Sequence, residues 1–204
     1  MNEVNVDYDP DTWIRVPLDY VDTRWHDAHA WAEWLADTAT AGRPTASAMR
    51  AEIRDNALSI ALHPAAHVWG RFWFFPIDGD PSGFVDVFVQ LRVADGTLAE
   101  ELLPELEPVA LMPVVDALVV EGFASAVRRR TLVMVPRDDA DPVAMPQVEW
   151  LGIGERWVCY AVTQDITPER SNQREPHIDF LFHSFGAAAL DASWEAGGDG
   201  HLTP

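Results

Sequence analysis

The residues with most latent chemistry are two histidine pairs. His26 and His29 lie three apart, and His63 and His67 lie four apart. At those spacings two imidazoles share one helical face and can chelate zinc, but a site needs a third ligand and fixed geometry. Pro64 falls inside the second pair and ends its helix. Trp25 and Trp31 flank the first, where packing on an aromatic helix surface is the simpler account. No metal site is expected from either pair. The single cysteine, Cys159, sits between Val158 and Tyr160 in a strand-like run, whereas a nucleophilic thiol needs an electropositive, accessible setting. Ser184 follows His183 without a Gly-x-Ser-x-Gly elbow. His177 and Asp179 near His183 fit an acid–base cluster, and a helix N-terminal turn explains Asp179 equally well. All 14 basic residues are arginine, which removes both a P-loop lysine and Schiff-base chemistry. The expectation is no catalytic constellation, no enzyme activity and no cofactor.

Aromatic residues and a basic triplet remain as candidates for binding. Nine tryptophans are unusual for 204 residues. Trp25, Trp31 and Trp34, read on one helix at ~100° per residue, point in directions too different to share one core. At least one is expected to be exposed or to line a groove, and exposed Trp is enriched at binding hot spots. A large aromatic core that absorbs all of them is the alternative. Arg128, Arg129 and Arg130 form the only dense basic spot. They fit pairing with nearby acids on a strand or turn, or contact with an anion or acidic peptide.

Charge narrows the partners. Thirty-three acids against 14 bases give a formal net charge of −19. Such a field repels phosphate backbones, so nucleic acid is not an expected partner. No apolar run approaches the ~18 residues needed to span a bilayer. The first residues carry neither a positive n-region nor an apolar h-region, so no secretory signal is expected. One cysteine forms no intramolecular disulfide and suits a reducing cytoplasm.

These residues must be positioned by a sheet. Val68–Phe75 is dense in aromatic and β-branched residues, and Pro76–Gly83 is turn chemistry. From Phe84 to Val93 the chain alternates, with Val85, Val87 and Val89 on one side and Asp86, Gln90 and Arg92 on the other. That alternation predicts an antiparallel strand with one wet face. Trp13–Leu18 reads as an opening strand. A helix from Arg24 to about Thr40 is predicted, capped by Asp22 or Thr23, and a second from Thr45 to about Leu62. A short acidic helix over Leu98–Leu103 follows, then strands at about 114–121 and 127–135. Residues 137–146 are predicted as an exposed loop, and strands at 147–151 and 156–163 as a hairpin. A polar loop over 165–176 precedes an amphipathic helix from Ile178 to Leu190. Residues 1–11 are expected to be mobile, 12–194 to form one α+β domain, and 195–204 a flexible tail.

Trp13-Ile14-Arg15-Val16-Pro17, Arg71-Phe72-Trp73-Phe74-Phe75-Pro76, the Val148–Trp150 and Trp157–Val162 strand pair, and Phe180-Leu181-Phe182-His183-Ser184-Phe185 occur in an order that resembles the PsbP-like superfamily, in particular its small actinobacterial members. These are packing motifs. The resemblance implies an antiparallel β-sheet flanked by helices, an α/β/α sandwich. Its members of known role are mostly accessory proteins: photosystem subunits, Ran-binding import factors and chaperones for secreted bacterial effectors. It supplies no catalytic residue to this chain. The expected function is a non-enzymatic cytoplasmic module that binds another protein, basic or aromatic-binding, with a homodimer open as an alternative. A small-ligand binder or enzyme using a cleft between helices and sheet, with His26, His29 and Cys159 as its polar groups, is the competing reading.

Overall fold

The computed structural model describes residues 6–43, 46–77, 81–91, 96–106, 109–137 and 140–190. It is an α+β protein with seven strands and three α-helices among those residues, and its strand pairs are antiparallel. The chain divides into two compact units, Asp11–Phe88 and Met1–Pro10 with Val89–Pro204. The expected tail at 195–204 lies outside the described residues.

In the Asp11–Phe88 unit, β1 (Trp13–Val16) pairs with β2 (Gly70–Phe74), and β2 pairs with β3 (Ser82–Leu91). Helices α1 (Ala28–Thr40) and α2 (Ala46–Leu62) supply Trp31, Ala32, Leu35, Ile53, Ala57 and Ile60 to one core with Val16 and Trp73. Helix α1 starts four residues later than the sequence suggests. Asp27, not Asp22 or Thr23, is its cap, because the Asp27 carboxylate accepts the Ala30 N–H at 2.8 Å.

The wet face expected on β3 is wet at Gln90 but not at Asp86, and Arg92 lies outside the described residues. Asp86 is buried opposite Arg71, which is fully enclosed. Arg71 uses all five N–H donors. Two reach the Asp86 carboxylate at 2.6 and 2.8 Å, and three reach the carbonyls of Ile60, His63 and Pro64. The guanidinium therefore satisfies carbonyls at the C-terminal end of α2 and neutralises an interior acid with the same group.

In the other unit, β4 (Val114–Leu118), β5 (Ser125–Arg137), β6 (Ala140–Ile153) and β7 (Trp157–Gln164) form a ladder in the order β7-β6-β5-β4. Two expected loops are regular elements. The 137–146 stretch belongs mostly to β6, because pairing with β5 continues out to Arg137 and Ala140. The 165–176 stretch is mostly the first part of α3 (Pro168–Leu190). Part of its charge is turned inward: Arg174 is fully enclosed and pairs with Asp165, and Glu175 is buried too, while Glu169 and Arg170 stay exposed. Pro168 occupies the first turn, where a missing N–H costs nothing. Pro176, which removes a helical hydrogen bond, lies on the exposed side.

The buried stripe Ile178, Leu181, Phe182 and Phe185 packs α3 against this ladder. Phe123 meets Trp157 edge-on and Phe182 at a tilt, and it lies so close to β6 that a Cβ at Gly152 would collide with its ring. The other face of the ladder buries Val127, Leu151, Ile153 and Val158 beneath Ala99 of a short 3-10 helix, Ala99–Leu102. Among the described residues no helix is long and apolar enough to cross a membrane.

Candidate functional site

The three candidate tryptophans part company in the fold. Trp31 is core, 1% exposed. Trp25 precedes α1 rather than riding on it, and folds back so that its ring lies 4.9 Å from that of Trp34. The Arg24 guanidinium lies 3.9 Å from the Trp34 centroid and 4.6 Å from that of Trp25, a cation–π arrangement. Trp25 and Trp34 are half-buried, and Trp25 Nε1 is buried with no hydrogen-bond partner among the described residues. None of the eight described tryptophans is exposed; Trp194 lies outside the described residues.

The arginine triplet alternates across β5. Arg128 and Arg130 share one face. Arg128 meets Asp179 at 2.7 Å and Glu175 at 2.8 Å, and Arg130 pairs with Glu175 and Asp116. Those carboxylates raise the Arg130 pKa above its ordinary value, the Glu175 hydrogen bond first among the causes. Asp179 also accepts the Trp150 indole N–H at 2.6 Å. On the opposite face Arg129 holds Glu149 through two bonds of 2.6 and 2.8 Å and donates to the Pro104 carbonyl. The Tyr160 hydroxyl donates to the same Glu149 at 2.6 Å. Each guanidinium of the triplet thus has a carboxylate against it, in the geometry of charge-assisted pairs.

The remaining reactive groups are scattered or covered. Cys159 is fully enclosed, and burial pushes its thiol pKa up, so it is not a thiolate at neutral pH. Ser184 donates to the Phe180 carbonyl. His26 lies 3.4 Å from the Asp27 carboxylate at the surface, and the His63 ring packs on Phe84. Among the described residues no group of three or more His, Cys, Asp or Glu could hold a metal ion.

Two features remain that the sequence did not single out. The first is a pocket of ≈ 340 Å³ lined by Leu106, Val133, Gln147, Glu149, Tyr160 and Gln164, with other residues of the same unit. Its size is at the small end for ligand sites. Burial, then the neighbouring Glu149 charge, raises the Tyr160 pKa and keeps the phenol protonated.

The second is the β4 border of the ladder. The chain joins β5 at Val109, which bridges Val133, and Ala110 donates to the Leu132 carbonyl. It then runs through β4 in register from Val114 opposite Arg130 to Leu118 opposite Ala126. No described strand lies on its far side. Along this border Leu111, Met112, Val114, Val115 and Val119 are exposed, Met112 to 86% and Val119 to 99%. The apolar run was visible in the sequence; its position at a border was not, because strand order is not a local property.

No family model, curated protein or solved structure matches this chain.

Proposed function

We propose that this chain is a non-enzymatic, cytoplasmic protein-binding or accessory module that meets its partner along the outer border of β4. The observation that carries this reading is the set of exposed apolar residues Leu111, Met112, Val114, Val115 and Val119 on and beside β4, whose outer side no described strand covers. Such a border offers both apolar surface and backbone groups that no described strand pairs, and folds normally blunt it with charge, cover or a closed barrel. The enclosed Cys159 and the carboxylates engaged by arginine support a binding rather than a catalytic role. A PsbP-like placement, with its accessory roles, fits an antiparallel sheet with helices. Trp34 and Trp25 under Arg24 are a second candidate contact, on the Asp11–Phe88 unit.

The test is co-purification from the source cell with the wild type, Met112→Asp, Val114→Asp and Trp34→Ala. A protein retained by the wild type and lost from both β4 variants, at unchanged melting temperature, is the expected result. Retention by both overturns the β4 reading, and loss from Trp34→Ala alone moves the contact to the indole pair.

The ≈ 340 Å³ pocket favours a second reading, a small-ligand binder. There a compound that raises the melting temperature of the wild type should fail to do so when Gln147→Trp fills the space.

A further inference from the structure

We propose that the occupant of the β4 border is an extended segment of another protein, with alternating apolar residues flanked by lysine or arginine, which adds to the ladder as a further strand. This rests on the β4 reading above and names the chemistry of its partner. Backbone addition follows from the topology. β5 takes one side of β4 over Val114–Leu118, and the strand's other side points away from the ladder. A main-chain partner satisfies those groups whatever its side chains are, and its alternate side chains select it. The border offers apolar neighbours on both faces of the sheet, since Val114 and Val115 are adjacent in the strand and point oppositely. An incoming strand with apolar residues at alternate positions lies beside one of these rows.

Charge decides between a second copy and a foreign segment. Asp116, in the middle of β4, is held by Arg128 and Arg130, so the strand itself carries no free charge to repel a neighbour. The chain leading into the border and out of it is acidic: Glu100, Glu101, Glu105 and Glu121 are all exposed. The triplet arginines are already matched by Asp116, Glu149, Glu175 and Asp179. A second copy brings the same carboxylates and another net charge of −19, and is repelled on approach. A segment with basic flanks is attracted, and the attraction weakens as salt screens it.

The experiment uses the full chain and three labelled synthetic peptides sharing an alternating Val-Thr core. One has lysine flanks, one has glutamate flanks, and one keeps the lysine flanks with every backbone nitrogen of the core methylated. Binding is read by fluorescence anisotropy, and its place by amide exchange on the wild-type chain. The lysine-flanked peptide is expected to bind, to protect amides within 111–119, and to weaken at least about tenfold between about 50 and 500 mM salt. The glutamate-flanked peptide is expected to bind at least about tenfold more weakly. The methylated peptide, which cannot complete a ladder, is expected not to bind.

Equal binding of the glutamate-flanked peptide overturns the charge assignment and leaves the β4 reading standing. Equal binding of the methylated peptide, or protection elsewhere, overturns strand addition. Binding of none of the three also overturns the proposal, while the co-purification experiment judges the β4 reading by itself. A concentration-dependent doubling of mass with protection of 111–119 in the free chain overturns it in favour of a second copy.

Discussion

Strands β1 and β4 each end a ladder, four residues long in one case and five in the other, and they treat solvent in opposite ways. In β1, Trp13 and Val16 are buried, Trp13 meets Phe74 edge-on at 5.3 Å, and the exposed Arg15 lies 5.0 Å from the Trp69 ring. In β4, Val114, Val115 and Ala117 are all exposed, and the one charged residue, Asp116, is turned to Arg128 and Arg130. A terminal strand is protected when its apolar residues reach a core and a charge stands outside; β1 has both features and β4 has neither. Sequence hydrophobicity alone does not separate Trp-Ile-Arg-Val from Val-Val-Asp-Ala-Leu. The difference lies in what each apolar side chain finds above it.

That contrast can be broken in order of effect. Trp13→Ala removes a buried ring from β1 and should cost about 3–5 kcal/mol by denaturant titration; a cost under about 1 kcal/mol would falsify the claim that β1 is core-anchored. The enclosed strand β7 gives a reference at high pH. Burial raises the folded-state pKa of both Tyr160 and Cys159 above the unfolded values. The stability they add is therefore whole below the unfolded pKa of each and lost as pH rises beyond it, from about 8.5 for the thiol and about 10 for the phenol. The denaturation midpoint should fall from pH 8 upward, and Tyr160→Phe with Cys159→Ala should flatten the fall. An equally steep fall in the double variant removes these groups as its cause.

Asp116→Asn, at a partly exposed ion pair, should cost only about 0.5–1 kcal/mol. It should also leave Arg128 and Arg130 less neutralised, weakening any lysine-flanked ligand. Smallest of all, Val119→Ser should change stability by no more than about 0.5 kcal/mol, as measured by thermal melting. A larger loss would mean that Val119 is covered in solution and that the two terminal strands differ less than they do here.

The sheet strands and the helical period were legible wherever one apolar face repeats. Ile53, Ala57 and Ile60 sit at helical spacing and are buried along α2, and Val85 and Val87 alternate as a strand and are buried. Legibility failed where burial involves charge. Asp86 looked like a solvent residue because nothing near it in sequence shows that Arg71, fifteen residues earlier, lies opposite. The 165–176 stretch looked like a loop for the same reason. Its Arg174 and Glu175 read as surface residues until Asp165 and the β5 arginines are placed against them. Among the candidate binding residues, the angular argument separated Trp31 from Trp34 on α1, but it assumed a helix reaching back to Arg24. Trp25 reaches Trp34 through a turn instead.

By itself the sequence determined the α+β class, the acid excess, and the lack of lysine and of a second cysteine, because each follows from local period or from composition. Tertiary structure alone decided which charges lie inside and which valines lie outside. Arg71 with Asp86 and Arg129 with Glu149 are buried because strand register brings distant residues opposite each other. The β4 valines are exposed because their strand comes last in the ladder, and no residue's own chemistry encodes its place in that order.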